Sequence, residues 1–92
     1  MILDFIHKGL EKYYRTGSKA GIQAKHADKL QRILSNLDVA NCSDDLDLPG
    51  YRLHELKGSR QGVWSITVQA NWRITFRFVG DDIELIDYED YH

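Results

Sequence analysis

The sequence of 92 residues has an ordinary composition, with 42% hydrophobic and 28% charged residues, and its formal net charge is −2. A chain of this length forms one domain with a single core and has no room for a separate cofactor-binding lobe. We therefore expect one domain over residues 1–92 that holds no cofactor and carries its chemistry on a few surface groups.

Several classes of protein are excluded by the composition. No apolar run approaches the roughly 20 residues of a membrane span, and residues 1–5 lack the apolar region of a signal peptide. Cys42 is the only cysteine, so no internal disulfide or thiolate metal site can form. The acidic residues occur in runs without the spacing of a recognisable metal motif. We expect a cytoplasmic protein with no membrane contact and no bound metal ion.

The charges are segregated along the chain. Residues 1–37 contain seven basic residues (Lys or Arg) and three acidic residues (Asp or Glu), and residues 52–77 contain five basic residues and one acidic residue. Residues 38–51 contain four acidic residues and residues 78–92 contain six, and neither segment contains Lys or Arg. Although the net charge argues against a polyanionic partner, this distribution is compatible with a basic working surface between acidic edges.

Helical spacing predicts two helices after a short edge strand at residues 1–3. Asp4 is the predicted N-cap of the first helix, which we expect to end near Arg15 and to bury a stripe of Ile6, Leu10 and Tyr13 or Tyr14. The second helix is predicted from about Gln23 to Leu37. Its core residues are expected to be Ala27, Leu30, Ile33, Leu34 and Leu37.

The second half of the chain predicts antiparallel strands. After an acidic loop that can hold one helical turn near residues 44–48, we expect a strand over residues 51–56, a turn over residues 57–62 and a hairpin over residues 64–78. In the hairpin, strict alternation predicts one apolar face and one face of hydroxyl and guanidinium groups. The last strand is predicted over residues 83–88, with an exposed edge. The fold class is therefore α+β, an N-terminal helical hairpin packed on a small antiparallel sheet.

Candidate catalytic groups converge near one end of this predicted sheet. His54 and His92 supply imidazoles that suit a general base and a general acid, and Lys57 and Arg73 supply cations. Metal-free RNA cleavage needs these groups, because a base must deprotonate the ribose 2′-hydroxyl, an acid must protonate the departing 5′-oxygen, and fixed cations must stabilise the transition state. Tyr91 could stack on a base, and Asp90 could orient a histidine.

Simpler interpretations apply to the same residues. His54 alone is more often a half-buried strand residue than a catalyst, and a terminal histidine is more often frayed. Arg73 and Arg77 could merely solvate the sheet or pair with Glu84 and Asp87 on the next strand. His7 and His26 lie on predicted helices, and we assign them no role.

Four motifs together resemble the HigB toxins of the RelE/ParE superfamily. They are Leu-His-Glu-Leu-Lys-Gly at 53–58, Gly-Val-Trp-Ser-Ile at 62–66, Asn-Trp-Arg-Ile-Thr-Phe at 71–76 and Asp-Tyr-His at 90–92. The resemblance implies a bacterial toxin that cleaves mRNA positioned on the ribosome and is inhibited by a HigA-like helix-turn-helix antitoxin. It assigns catalytic positions to His54, Lys57, Arg73, Asp90, Tyr91 and His92, and we expect RNA contacts at Arg52, Arg60 and Arg77. Gln69, where relatives can carry a basic residue, and Glu55, an acid inside the expected site, depart from the pattern.

Two other functions are compatible with the same scaffold. A ParE-like toxin would poison DNA gyrase without cutting nucleic acid, and a nonenzymatic RNA-binding module would need no histidines. Paired acid–base groups favour the nuclease. Which of His54 and His92 is the base stays open at this point.

Overall fold

Alternation of apolar and polar residues builds a four-stranded antiparallel sheet from the second half of the chain. In a computed structural model, which describes residues 1–90, the strands follow one another in space as in sequence: β1 (His54–Glu55), β2 (Val63–Gln69), β3 (Trp72–Val79) and β4 (Asp82–Asp90). Two-residue turns join β2 to β3 and β3 to β4. The predicted strand over 51–56 is shortened to two residues, because Arg52 has a φ of 48° and interrupts the extended backbone.

A bulge shifts the register between β3 and β4. Thr75 pairs with Asp87 but Arg77 pairs with Glu84, so two residues of β4 lie opposite the single Phe76. One of these two is Leu85, which has a φ of 55°. Because of the bulge, the side chains of Ile83, Ile86 and Tyr88 are all buried in the core, although Ile83 and Ile86 are three positions apart.

The first six residues run alongside β4 rather than forming a helix. Ile2 and Phe5 make parallel bridges to Ile83 and Ile86, and the backbone N–H of Leu3 donates to the carbonyl of Ile83 at 2.7 Å. The predicted edge strand is thus present as isolated bridges. The expectation that β4 has an exposed edge is wrong along this stretch, because the N-terminal segment pairs with it.

The first helix, α1 (Lys8–Thr16), begins later than predicted. Its N-cap is His7, whose Nδ1 accepts a hydrogen bond from the backbone N–H of Leu10 at 2.9 Å. Asp4 is not the cap; its Oδ1 accepts from the backbone N–H of Leu85 at the bulge. Because the residues before His7 pair with β4 and are not helical, Phe5 is buried while Ile6, predicted to be buried, is 53% exposed.

The second helix, α2 (Ala27–Val39), supplies the larger share of the helical core. All five residues predicted for its apolar face are buried: Ala27, Leu30, Ile33, Leu34 and Leu37. They form one cluster with the inward residues of the sheet, among them Ile66, Ile74 and Phe76, while Leu10 is the buried residue of α1. The predicted α+β fold is confirmed. None of the helices in residues 1–90 is long and apolar enough to cross a membrane.

Two glycines allow α1 to touch the connector that leads to α2. A Cβ placed on Gly9 would lie 2.5 Å from the carbonyl oxygen of Gly21 and 2.8 Å from its Cα. Neither backbone atom can move aside as a flexible side chain could. This close approach fixes where the connector crosses α1.

We expect Gly9→Ala to destabilise the protein by about 1–3 kcal/mol, because the added methyl group forces two backbone segments apart. Urea denaturation followed by circular dichroism measures the loss. Lys12→Ala, an exposed change on the same helix, is the control and should stay within about 0.5 kcal/mol of the unchanged protein. Equal stability of Gly9→Ala would show that this contact imposes no constraint.

Candidate active site

A depression of about 190 Å³ lies on the sheet face opposite the helices, beside the turn between β2 and β3. Its lining includes two of the predicted catalytic residues, His54 from β1 and Arg73 from β3, with Thr67 of β2 between them. The rest of the lining consists of Ser65, Ala70, Asn71 and Trp72. Strand alternation thus brings an imidazole and a guanidinium from distant parts of the chain to one concave surface.

The imidazole of His54 has a defined tautomer. Its Nδ1 lies 3.0 Å from the carbonyl oxygen of Arg52, and a carbonyl can only accept a hydrogen bond, so Nδ1 carries the proton. In the neutral ring Nε2 is then unprotonated and can accept a proton. The contact depends on the left-handed backbone of Arg52, a conformation that costs a residue with a Cβ of the order of 1 kcal/mol or more and that occurs often at functional sites.

The guanidinium of Arg73 is held by Glu89 of β4. Nε and Nη2 of Arg73 donate to Oε1 of Glu89 at 2.9 and 2.7 Å, and Nη1 of Arg60 donates to the same oxygen at 3.0 Å. The Arg73 side chain is 13% exposed, against 42% for that of Arg60. Burial alone would raise the pKa of Glu89, but the hydrogen bonds and charges of the two arginines outweigh it and lower that pKa, so Glu89 is ionised at neutral pH.

The hydroxyl and guanidinium surface predicted for this face is not continuous. Ser65 and Thr75, directly opposite each other on β2 and β3, are 1% and 2% exposed. The Ser65 hydroxyl has no hydrogen-bond partner within the part of the chain that the structure describes. Arg60 reaches Glu89 from the other side of β2 and β3, so its side chain spans this face of the sheet.

Other predicted site residues lie apart from this depression. Lys57 lines a separate one of about 300 Å³ with Glu55, Leu56, Gly58 and Gln61. Asp90 pairs with Trp72, and alternation places it on the sheet face opposite that of Glu89. Arg52 and Arg77 are exposed. The predictions for Tyr91 and His92 lie outside the described residues.

Glu89 is the site residue that sequence reasoning missed. The predicted partners of the arginines were Glu84 and Asp87; Glu84 does lie opposite Arg77, but Arg73 pairs with Glu89 instead. The bulge brings Glu89 opposite Arg73, because it shifts the pairing by one residue after Leu85; regular pairing would have placed Tyr88 there. The adjacent apolar residues Leu85 and Ile86, which break the alternation of the last strand, are the signal that could have revealed it.

A comparison with protein families decides the identity of the chain. Residues 3–92 match the model of the HigB-like toxins, described as a RelE-like toxin of type II toxin-antitoxin system HigB. The chain belongs to this family. As a toxin of a type II toxin-antitoxin system, this HigB-like toxin has an antitoxin as its partner.

Individual relatives agree with the family match. The HigB-like toxin is 46% identical over 92 residues to Endoribonuclease HigB of Proteus vulgaris, with the whole of both chains covered. It is 35% identical over 94 residues to Toxin HigB-1 of Vibrio cholerae serotype O1, with all of this chain and 98% of that protein covered. The predicted HigB resemblance is confirmed, and the gyrase-poisoning alternative is not favoured.

A solved structure supports the fold. A YoeB/ParE toxin from Agrobacterium tumefaciens superposes with a TM-score of 0.65 at 18% identity, with 99% of this chain and 98% of that chain covered. At this identity the likeness bears on the fold and leaves the activity to other evidence.

A buried histidine joins the helices of the HigB-like toxin to the site end of the sheet. His26 is 2% exposed, with Nδ1 2.6 Å from the Tyr88 hydroxyl and Nε2 3.0 Å from Oε1 of Gln69. Its ring also meets those of Trp72 and Tyr88 edge-on. Gln69, noted above as a departure where relatives can carry a basic residue, therefore has a structural partner. Burial lowers the pKa of His26, so the ring is neutral at pH 7.

We expect acid to destabilise the toxin through His26. The unfolded chain takes up this proton near the ordinary pKa of 6.5, whereas the folded chain does so only at lower pH. Stability is therefore lost as the pH falls below about 6.5, by at most about 1.4 kcal/mol per pH unit for one proton.

Urea denaturation between pH 7.5 and 5 measures this loss. His26→Gln keeps an uncharged polar side chain and cannot titrate, so its stability should fall less steeply than that of the unchanged toxin. Every other ionisable group is the same in both proteins, so the difference between the two curves isolates His26. Parallel stability curves would contradict a role for His26.

Proposed function

We propose that this toxin is an endoribonuclease that cleaves mRNA while the message is positioned on the ribosome. One domain over residues 1–92 would act in the cytoplasm and be inhibited by a HigA-like antitoxin with a helix-turn-helix domain. The relative from Proteus vulgaris, identical at 46% of positions, is named an endoribonuclease. The observation that carries the proposal is the depression shared by His54, whose Nδ1–H donates to the Arg52 carbonyl, and Arg73, which Glu89 holds through two hydrogen bonds.

The proposed reaction needs one base, one acid and a stabilised phosphorane. Nε2 of His54 removes the proton of the ribose 2′-hydroxyl, whose oxygen then attacks the adjacent phosphorus. The bond from phosphorus to the 5′-oxygen breaks, and the acid protonates that oxygen, leaving a 2′,3′-cyclic phosphate and a free 5′-hydroxyl. Arg73 stabilises the negative charge that grows on the phosphorus oxygens.

The tautomer of His54 supports its assignment as the base, which leaves His92 as the proposed acid. Tyr91 is proposed to stack on a base of the message and Asp90 to orient a catalytic histidine. Phosphate contacts are proposed for Lys57, Arg52, Arg60 and Arg77. The ribosome compensates for the acidic net charge by presenting and aligning the RNA, so the toxin needs only local positive charge.

Purified toxin added to ribosomes that translate a defined message tests the function. We expect new 5′ ends inside the message, mapped by primer extension, and far fewer cuts in the same RNA without ribosomes. DNA breaks in cells that express the toxin, with intact transcripts, would instead identify a gyrase poison. Growth inhibition that survives loss of both His54 and His92 would identify a nonenzymatic RNA-binding protein.

A further inference from the structure

Glu89 is a carboxylate at a site that is proposed to receive RNA phosphates. A negative charge there repels a phosphodiester and so weakens RNA binding. A carboxylate at this position therefore needs a structural explanation. Its Oε1 accepts three hydrogen bonds, two from Arg73 and one from Arg60. The lowered pKa of Glu89 keeps that acceptor charged at neutral pH.

We propose that Glu89 is a positioning residue that fixes the Arg73 guanidinium beside His54 before RNA arrives; the inference rests on the proposed function. A guanidinium bound through Nε and Nη2 to one oxygen has a defined plane, and the Arg73 side chain is only 13% exposed. A donor that is already oriented stabilises transition-state charge without reorganising during the reaction. Glu89 thus acts through Arg73 and touches no reacting atom.

Arg60 extends this arrangement to a second part of the site. Arg60 ends the short helical turn Gly58–Arg60, which directly follows Lys57. Since β2 and β3 separate this turn from β4, the hydrogen bond from Arg60 to Glu89 ties the turn across the sheet face. Glu89 therefore also restrains the loop that carries Lys57, a proposed phosphate contact.

Glu89→Gln tests the proposal because it keeps the shape of the side chain and removes its charge. We expect kcat for ribosome-bound mRNA to fall roughly 10- to 100-fold, as a displaced Arg73 stabilises the transition state poorly. Binding is measured on ribosomes whose message carries a 2′-deoxy nucleotide at the position that the unchanged toxin cuts. There the affinity should be equal or higher, because one repulsive charge is gone.

Glu84→Gln is the matched control. Glu84 lies on the same strand, opposite Arg77 rather than Arg73, and its replacement should leave kcat unchanged. Circular dichroism and urea denaturation check that both variants fold, since a purely structural role would lower the folded fraction and with it both quantities. Unchanged or increased kcat in folded Glu89→Gln would overturn the proposal.

A double-mutant cycle separates action through Arg73 from independent action. In an Arg73→Ala background, Glu89→Gln should cause little further loss of single-turnover rate, whereas additive losses would overturn the inference. Failure of the proposed function can be distinguished from failure of this inference. If the unchanged toxin does not cut ribosome-bound message, the proposed function is wrong; if it cuts but Glu89→Gln cuts equally well, only the inference about Glu89 is wrong.

Discussion

Replacement of His54 is expected to slow cleavage of ribosome-bound mRNA by roughly 10²- to 10⁴-fold, the range for loss of a general acid or base. The imidazole is exposed at the rim of the depression and, with Nδ1–H donated to the Arg52 carbonyl, has one nitrogen ready to accept a proton. Within residues 1–90, no other imidazole lines this depression. The remaining rate would come from positioning and from Arg73.

Two substitutions at this position separate chemistry from folding. His54→Asn can still donate a hydrogen bond to the Arg52 carbonyl from its side-chain amide, so the local backbone keeps its partner, but it supplies no base. His54→Ala removes both the hydrogen bond to the Arg52 carbonyl and the base. We expect equal losses of single-turnover rate in the two variants, measured on translating ribosomes, with Arg15→Ala on α1 as an unaffected control. A His54→Asn toxin that retains most of its activity would exclude His54 from the proton transfers.

The helices and the central hairpin could be predicted because burial imposes a period on the sequence. The α2 residues at helical spacing are buried as expected, and Ile66, Ile74 and Phe76 alternate into the core. The helical and strand periodicities each extend over several residues, so a single residue that departs from the pattern does not obscure them. His54 and Arg73 reached the same face for the same reason.

Features that depend on single backbone conformations were not predictable in this way. The positive φ of Arg52, which supplies the hydrogen-bond acceptor for His54, occurs at a residue type that rarely adopts it. The alternation of the strands also did not predict that Ser65 and Thr75 are buried, or that Arg60 donates a hydrogen bond across the sheet to Glu89. Such contacts depend on tertiary structure and leave no period in the sequence.

The bulge at Leu85 shows how a local exception changes the interpretation of a site. With regular pairing from the turn at Gly80, Arg73 would face Tyr88; the extra residue moves Glu89 into that place. An arginine that seemed available on an open face is instead held by a carboxylate on the next strand. The predicted cation was in the correct strand and on the correct face, but its electrostatic partner was not foreseen.

Loss of Arg73 is expected to lower kcat by roughly 10²- to 10³-fold, comparable to removing a donor that stabilises a developing oxyanion. Arg73→Ala removes the oriented guanidinium and leaves Glu89 with Arg60 as a cationic partner, so one positive charge is lost where the scissile phosphate is proposed to bind. Arg73→Lys keeps a charge but cannot contact Glu89 through two nitrogens, so we expect a smaller loss. Single-turnover cleavage on programmed ribosomes measures each rate.

Arg77 offers a comparison on the same strand and the same sheet face. It is exposed and lies opposite Glu84, outside the depression that holds His54. Arg77→Ala should therefore weaken RNA binding, which raises KM, and leave kcat nearly unchanged, because an exposed cation contacts ground state and transition state alike. If Arg73→Ala also changed KM alone, the guanidinium would bind phosphate without stabilising the transition state, and another group would have to carry that charge.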